Sequence, residues 1–539
     1  MDNRDGSITI FMTFAFLLLF ALTGTALDSA RFFSSRGYVK TSAYGAEVAM
    51  YGNYNRELYE EYGLFAYGGY DGLGEKDWCE QYQEILLENL AERPRWDGQQ
   101  KVSGQYASVY QLSAISVSLK KAGYLTQEGQ FLKQLKSWIT AKAFKDITQK
   151  LINGIQGTDK GGQQELLNNM EEGEQVEAIK EEQRKARERA EKNGEGTKEK
   201  QTANETEKVE NPLEFLKELL RDGVLSLVCD EGSLAETEVK RRGEGESPQR
   251  VGDWHSKGSG TKILKGLLKQ SETMWNDEML VDQGKKGKLL VYVSQMFQSY
   301  VSEGDSSVPY GLEYMISAQT NQKDAFAAVV NRLFLIRTLL NFLYVEKDPS
   351  LQAASLETAT AIAAVLAAEP LIPVIQKGIL LVLSLEEACV DIYALLEGRW
   401  VPVLKDKSTF KMNYAQICSA NKGMFRAKAQ GYEMAGDGLE VSKLSKGMGY
   451  IHYLWLFLLM EPWEQLYQRS LDIMEYDLRE RYNQTFTIDN CICDTKAVIS
   501  YGLPLLSGNF LVKGTERVGE SGQNAGIVMQ KVSVAYGYQ

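Results

Sequence analysis

Ile8-Thr9-Ile10-Phe11-Met12-Thr13-Phe14-Ala15-Phe16-Leu17-Leu18-Leu19-Phe20-Ala21-Leu22-Thr23-Gly24-Thr25-Ala26-Leu27 is an unbroken uncharged run. Twenty helical residues rise about 30 Å, the thickness of a bilayer's hydrocarbon core. The run predicts a transmembrane helix over residues 8–27 behind a short tail, residues 1–7. A cleaved secretory signal would bring a basic leader, a shorter apolar core and a small-residue cleavage site. Here the leader holds Asp2 and Asp5 against Arg4, and Thr23-Gly24-Thr25-Ala26-Leu27-Asp28 offers only a loose site. A buried soluble helix is rarely apolar on every face over such a length. The lipid bilayer is therefore the first expected partner, through residues 8–27.

Orientation is a separate question. The nearest basic residues are Arg4 before the run and Arg31, Arg36 and Lys40 after it. Counted alone, they place the C-terminal part in the cytoplasm, but the positive-inside rule weakens when a long domain follows the span. Charge leaves both orientations open.

Beyond the run, residues 28–50 contain no Pro and many small side chains, so the helix is expected to continue as a stalk. Continuous from Ile8, it would reach about 65 Å with roughly half projecting from the bilayer. Gly37 and Gly45 weaken its straightness. Residues 28–157 read as this stalk and a membrane-proximal region. Many of the 28 Tyr fall between Tyr38 and Tyr70, which suits a packing or membrane-proximal surface as well as an ordinary core.

Composition then changes. Residues 158–211 read as a charged linker: 22 of the 40 residues 171–210 are charged and none is aromatic, too little apolar surface to fold alone. Residues 212–235 read as a short helix-strand segment. Asn211 caps, Pro212 suits the first turn, and Leu213, Leu216, Leu219 and Leu220 share a face. Gly223 ends the helix, and Val224-Leu225-Ser226-Leu227-Val228 is expected to be extended. Residues 236–260, mixing Gly, Ser and charge, form a flexible loop.

A helical body follows over residues 261–470. Phe326, Val329, Val330, Leu333, Ile336, Leu340 and Leu343 make one stripe at helical spacing. Residues 359–368 and 378–385 are very apolar, but Glu369, Pro370, Pro373 and Lys377 interrupt them. Residues 450–460 are short, so all of these read as core helices rather than further spans. The last region, residues 471–539, is β-rich. Val528, Gln530, Val532, Val534, Tyr536 and Tyr538 alternate with Met529, Lys531, Ser533, Ala535 and Gly537, and residues 485–488, 496–501 and 510–512 are the expected partners. The fold class is α+β and mostly helical. It comprises an N-terminal transmembrane helix extended into a stalk, a large helical body, and a small antiparallel β-sheet formed largely by the C-terminal region.

Chemistry-bearing patterns are sparse. A net charge of −12 and a pI near 5.1 argue against a nucleic-acid partner, which needs a basic face. Six cysteines are too few and scattered for a disulfide scaffold. Cys491 and Cys493 would share a strand face, as buried free thiols rather than a bridge. The two histidines, His255 and His452, belong to no H-E-x-x-H motif and read as structural. Gly258-Ser259-Gly260-Thr261-Lys262 lacks the phosphate-loop order. Glu386-Glu387 is the best-placed carboxylate pair, and the simplest reading of it is a helix surface. No catalytic, cofactor-binding or metal residue is assigned, and no cofactor is expected.

Gly6-Ser7-Ile8-Thr9-Ile10-Phe11, the apolar run and Leu27-Asp28-Ser29-Ala30-Arg31 together resemble the TadE/TadG-like proteins, minor pilin-like components of Tad (Flp) pilus systems. Ala43, Ala46 and Ala49 match the small-residue stretch that follows the span there. Arg56-Glu57-Leu58-Tyr59-Glu60-Glu61-Tyr62-Gly63-Leu64-Phe65, Asn211-Pro212-Leu213, Gly223-Val224-Leu225-Ser226-Leu227-Val228, the helices of residues 324–404 and Asp489-Asn490-Cys491 resemble an uncharacterised family of large membrane-anchored proteins of Gram-positive bacteria, often encoded beside Tad pilus genes. The resemblance implies an N-in anchor, an extracytoplasmic body and a role in pilus assembly or secretion among other pilus or secretion subunits. The chain departs from type IV prepilins at Phe11. There the prepilin pattern carries an acid five residues after the cleaved glycine, so neither processing after Gly6 nor packing into a filament core is implied. The expected function is that of a non-enzymatic, single-pass, minor pilin-like component. A membrane-tethered envelope enzyme using carboxylates and an extracytoplasmic binding or sensor module are the alternatives.

Overall fold

The structure, a computed structural model, describes residues 4–70, 74–90, 95–97, 100–102, 110, 112–138, 213–230, 232, 234–242, 277–302, 304–365, 368–417, 420–435, 447–505 and 527–538. The linker 158–211, the expected cap Asn211 and first-turn Pro212, His255, the 258–262 stretch, Cys418 and the expected strand 510–512 lie outside the described residues. The chain forms two compact units: Met1–Gln134 together with Leu478–Gln539, and Leu135–Asp477.

The first unit opens on α1 (Arg4–Gly52), one uninterrupted helix of 49 residues, about 74 Å long. Within the apolar run, threonine hydroxyls donate back into their own helix, Thr23 Oγ1 to the Leu19 carbonyl at 3.0 Å and Thr25 Oγ1 to Leu22 at 2.9 Å. Such pairing lowers the cost of placing a threonine in apolar surroundings. Gly37 and Gly45 do not break the helix. Along the second half lies α3 (Glu75–Leu90), whose Tyr82 hydroxyl donates to the Ala43 carbonyl at 3.0 Å and Asn89 to Ser42 at 3.4 Å. Between them, α2 (Arg56–Tyr62) starts on the Asn55 side chain and ends on Gly63 at φ 63°, the left-handed cap that glycine adopts without strain.

A four-stranded antiparallel sheet completes this unit. β5 (Cys491–Pro504) is central, paired with β4 (Ser113–Tyr124), β6 (Ile527–Gly537) and the two-residue β1 (Tyr67–Gly68). Arg95–Asp97 and Gln100–Val102, β2 and β3, form a separate antiparallel pair. Ile499 faces Val117 on one side and Val532 on the other, and Ala497 faces Leu119 and Val534. The apolar face built by Ala497, Ile499, Tyr501, Val532 and Val534 packs on Val39, Ala43, Ala46 and Met50 of α1 and Trp78, Tyr82, Leu86 and Leu90 of α3 as one core. The opposite face carries Ser116, Ser118, Lys496 and Lys531, as period-two alternation requires.

The sheet covers one face of the second half of α1, and C-terminal β5 buries its apolar face with N-terminal β4 beside it and α1 beneath. One expectation is corrected here: residues 485–488 are not a strand. Asn483 Oδ1 accepts from both the backbone and hydroxyl of Thr485, at 3.0 and 2.9 Å, making a side-chain turn that leads into the 3-10 turn Ile488–Asn490.

In the second unit, α4 (Glu128–Trp138), which begins in the first, is followed by α5 (Leu213–Val228), α6 (Asp277–Met296) and α7 (Gly311–Ser317). Then come α8 (Gln322–Lys347), α9 (Pro349–Val365), α10 (Ile372–Leu396), α11 (Lys422–Ala429), α12 (Tyr450–Met460) and α13 (Trp463–Arg481). α8 is apolar enough to cross a membrane, yet most of its apolar window is buried inside the fold. Phe326, Val329, Val330, Leu333, Ile336 and Leu340 are core residues, with Leu343 half-buried. Pro349 and Pro373 sit in first helical turns, where the missing N–H costs nothing, and Asp348 Oδ1 accepts from Ser350 and Leu351 to start α9.

Two further corrections belong to this unit. Gly223, at φ 79° and ψ 175°, interrupts the helix as expected, but residues 224–228 beyond it are helical rather than extended. Val224, Leu227 and Val228 are buried at i, i+3, i+4 spacing, which so short an apolar run cannot distinguish from a strand. α9 buries only Ser355, Ala359 and Ala363, a small-residue stripe, so it is a surface helix laid on its neighbour rather than a core helix.

Candidate functional site

Two features of this chain stand out: the long apolar helix with its sheet, and a cluster of charges sealed inside the second unit. Along 8–27 α1 is exposed, its most apolar window has mean hydropathy 2.2, and none of that window is buried. One turn past Leu27 the helix becomes attached. Arg31, itself buried, donates Nη1 to the Pro504 carbonyl at 3.1 Å and Nη2 to the Tyr110 carbonyl at 3.3 Å, beside Asp28 at 3.7 Å. At the other end, the Tyr51 hydroxyl meets Thr495 Oγ1 at 2.8 Å, and the Tyr538 hydroxyl donates to the Tyr51 carbonyl at 2.9 Å.

The tyrosines between Tyr38 and Tyr70 form a packing surface. Tyr44 and Tyr51 both contact Tyr536, Tyr51 and Phe65 contact Tyr538, and Tyr54 and Tyr59 close on Phe65, with ring centroids 4.4–5.7 Å apart. Such rings add about 0.5–1.5 kcal/mol per pair beyond area burial. They fasten the end of β6 to the end of α1. Glu47 lies in the same interface, fully buried, with no hydrogen-bond partner for either carboxylate oxygen. Burial pushes its carboxyl up to about 8, so it is mostly protonated at neutral pH.

In the second unit, Glu386 and Glu387 were expected on a helix surface; both are fully buried. The error has a local cause. Adjacent helical residues point about 100° apart, and α10 is covered on several sides, so two neighbours enter different interiors. Glu387 accepts from Lys405 Nζ at 2.7 Å and from the Lys411 and Met412 amides at 3.0 and 2.7 Å. One turn on, Asp391 Oδ2 accepts from Arg337 Nε and Nη2 at 3.0 and 2.7 Å and from Asn341 at 2.9 Å. Its Oδ1 accepts from Lys405 Nζ at 2.6 Å and from the Tyr432 hydroxyl at 3.1 Å. Arg337 also donates to the Pro402 and Val403 carbonyls, at 3.0 and 3.1 Å.

Two cations thus face two carboxylates, and all four side chains are closed to solvent. Burial raises the carboxyl of Asp391, but Arg337 and Lys405 outweigh it and hold the group below the usual carboxylate range. For Glu387 burial wins over Lys405 and the group is raised. The arrangement ties α8, α10 and the 399–412 segment together electrostatically. Glu386 has no such partners: neither oxygen is hydrogen-bonded, and burial, eased only by Lys428, pushes it up to about 9. It is a neutral acid inside the fold.

The remaining candidates fall into place as packing residues. His452 accepts the Gly449 amide on Nδ1 at 3.3 Å, its ring lies 5.0 Å from Trp400, and burial holds it down to about 4. Cys491 and Cys493 are buried free thiols, and Cys493 Sγ accepts from Gln134 at 3.3 Å. Glu313, which sequence reasoning did not single out, is buried with Oε1 on the Tyr300 amide and the Tyr450 hydroxyl, at 3.0 and 2.9 Å, and burial lifts it to about 7. Its only signal is an acid inside an apolar heptapeptide, Gly311–Ser317. Among the described residues, no group of three or more His, Cys, Asp and Glu is arranged to hold a metal ion.

Residues 202–503 match the model of a family of unknown function, DUF5702. No curated protein and no solved structure matches the chain. The matched span contains the whole buried charge cluster and most of β5, and it leaves α1 outside.

Proposed function

The chain belongs to this family of unknown function (DUF5702), and from that premise we propose that it is a single-pass membrane protein acting as a minor, pilin-like component of a Tad-type pilus or secretion assembly. One observation carries the proposal: a single continuous helix is apolar and exposed through its first half and packed on a four-stranded antiparallel sheet through its second. Such a helix can join other helices sideways in lipid while its sheet travels with it. Small residues at Ala15, Ala21, Gly24 and Ala26 allow the close approach on which packing between helices in lipid depends.

In this reading the N-terminus is cytoplasmic and the body extracytoplasmic. The local basic count points the other way, but Arg31, one of its three members, is buried on the Pro504 and Tyr110 carbonyls. It therefore serves the folded unit rather than facing a cytoplasmic surface. Glu386 and Glu387, the best carboxylates for a tethered enzyme, are both closed to solvent, so that alternative gains no support from them.

Genetic removal and rescue test the assignment. Deleting the chain should abolish surface filaments or export by the associated apparatus, and the full chain should restore them. Ala21→Phe with Gly24→Leu should reach the membrane in normal amounts yet fail to restore assembly. Filaments and export unchanged in the deletion strain would contradict the proposal.

A further inference from the structure

The chain's two attachment points let distances be carried from helix to sheet. Arg31 bonds the Pro504 carbonyl, and twenty residues along α1 Tyr51 bonds Thr495, nine residues back along β5. Twenty helical residues rise about 30 Å, and nine strand residues about the same. β5 therefore runs antiparallel alongside α1, and its Pro504 end lies level with Arg31. The register brings Ile527, the first residue of β6, opposite Pro504, and Ser113, the first of β4, opposite Gly502. One whole end of the sheet thus sits four residues beyond Leu27, about 6 Å along the helix axis.

Headgroups extend about 5–8 Å beyond the hydrocarbon on each side. The side chains at this level suit that layer. Phe33 is 68% exposed and Leu27 55%, although a lone projecting stalk would have no use for a large aromatic in water. Phe32 meets Phe33 edge to face at 5.6 Å. Tyr110, whose hydroxyl pairs with Ser34, stacks on Tyr38 at 5.6 Å. Leu505 and Ile527 are half-buried at the sheet's tip, and the next exposed charges on α1 are Arg36 and Lys40. Aromatic rings at the headgroup level, with cations just above them, are the pattern of a membrane interface.

We infer that the Pro504 end of the sheet is seated in the lipid headgroup layer, with Phe33, Tyr110, Leu505 and Ile527 as the contact surface. This rests on α1 being retained in the bilayer. The occupant is the same bilayer into which α1 passes one turn below, so the surface continues the span. Seated in this way, the first unit stands on the membrane with α1 held at a defined angle, and no length of bare stalk separates them.

Fluorescence quenching tests this on the full chain in phosphatidylcholine–phosphatidylglycerol nanodiscs, with Cys79 and Cys418 replaced by Ser. An NBD dye is placed in turn at Phe33→Cys, Ile527→Cys, Phe14→Cys and Lys496→Cys. Lys496 is exposed near the far end of β5. Lipids carrying a nitroxide on the headgroup should remove most emission at positions 33 and 527 and leave position 496 bright, while acyl-chain nitroxides quench position 14. Quenching at 14 with 33 and 527 as bright as 496 would overturn the seating and leave the anchor intact. No quenching at 14 would overturn both.

Discussion

Glu47 and Glu386 are the residues whose chemistry departs furthest from what their names suggest. Each is a carboxyl with no hydrogen-bond partner in a closed interior, and each keeps its proton because burial penalises the charged form. For Glu47 the folded group titrates at about 8, against an ordinary value of 4.5. Between those values the unfolded chain releases the proton and the folded chain holds it. Stability from this group is thus fully present below pH 4.5 and is lost as pH rises toward 8. Glu47→Gln removes the penalty. In thermal unfolding of the detergent-solubilised chain, the variant should be more stable than the parent at pH 8, by a few kcal/mol (~1.4 per unit of pKa difference), and nearly equal to it at pH 4.5–5. An equal effect at both pH values would contradict a buried neutral acid. Neither residue's state was legible in the sequence. Glu47 lies in Ala46-Glu47-Val48-Ala49 and Glu386 in Leu385-Glu386-Glu387-Ala388, and only the packing of other elements on those faces excludes water.

At the scale of elements, the periodic segments were the readable ones. α1, α8 and β6 follow from apolar spacing alone. β4 carries an equally plain alternation, Ile115, Val117 and Leu119 against Ser116, Ser118 and Lys120, but its partner β5 lies some 380 residues away, and a strand so isolated offers nothing local to pair with. Residues 224–228 went the other way, since five apolar-rich residues fit a strand and a helical turn equally. The charge cluster was invisible for a related reason: Arg337, Glu387, Asp391, Lys405 and Tyr432 are scattered over almost 100 residues, and each alone looks like a surface residue. Once assembled, they hold α8, α10 and the 399–412 segment in register. Asp391→Asn leaves Arg337 and Lys405 buried with one countercharge between them, which should cost about 3–5 kcal/mol in urea unfolding followed by tryptophan emission. Asp391 is held below its ordinary range, so its contribution is present above pH 4 and disappears as pH falls through its lowered value. A cost under about 1 kcal/mol would mean that the cluster is solvated in solution.

At the scale of the whole molecule, the chain divides into two compact units. The first and last parts of the chain make one unit, because the apolar face of β5 is closed only by β4, β6, α1 and α3 together. Everything between Leu135 and Asp477 is a second unit inserted into the first. The family match begins after α1 and ends within β5, so it takes in α5 to α13 and only part of the first unit. In the proposed topology, α1 brings the sheet, and with it the rest of the chain, to the outer face of the membrane. Topology decides this most directly. A membrane-impermeant thiol reagent applied to intact cells should label Lys496→Cys, in a chain with Cys79 and Cys418 replaced by Ser, as fully as it does after lysis. Labelling that appears only after lysis would put the body in the cytoplasm and contradict the pilin-like assignment.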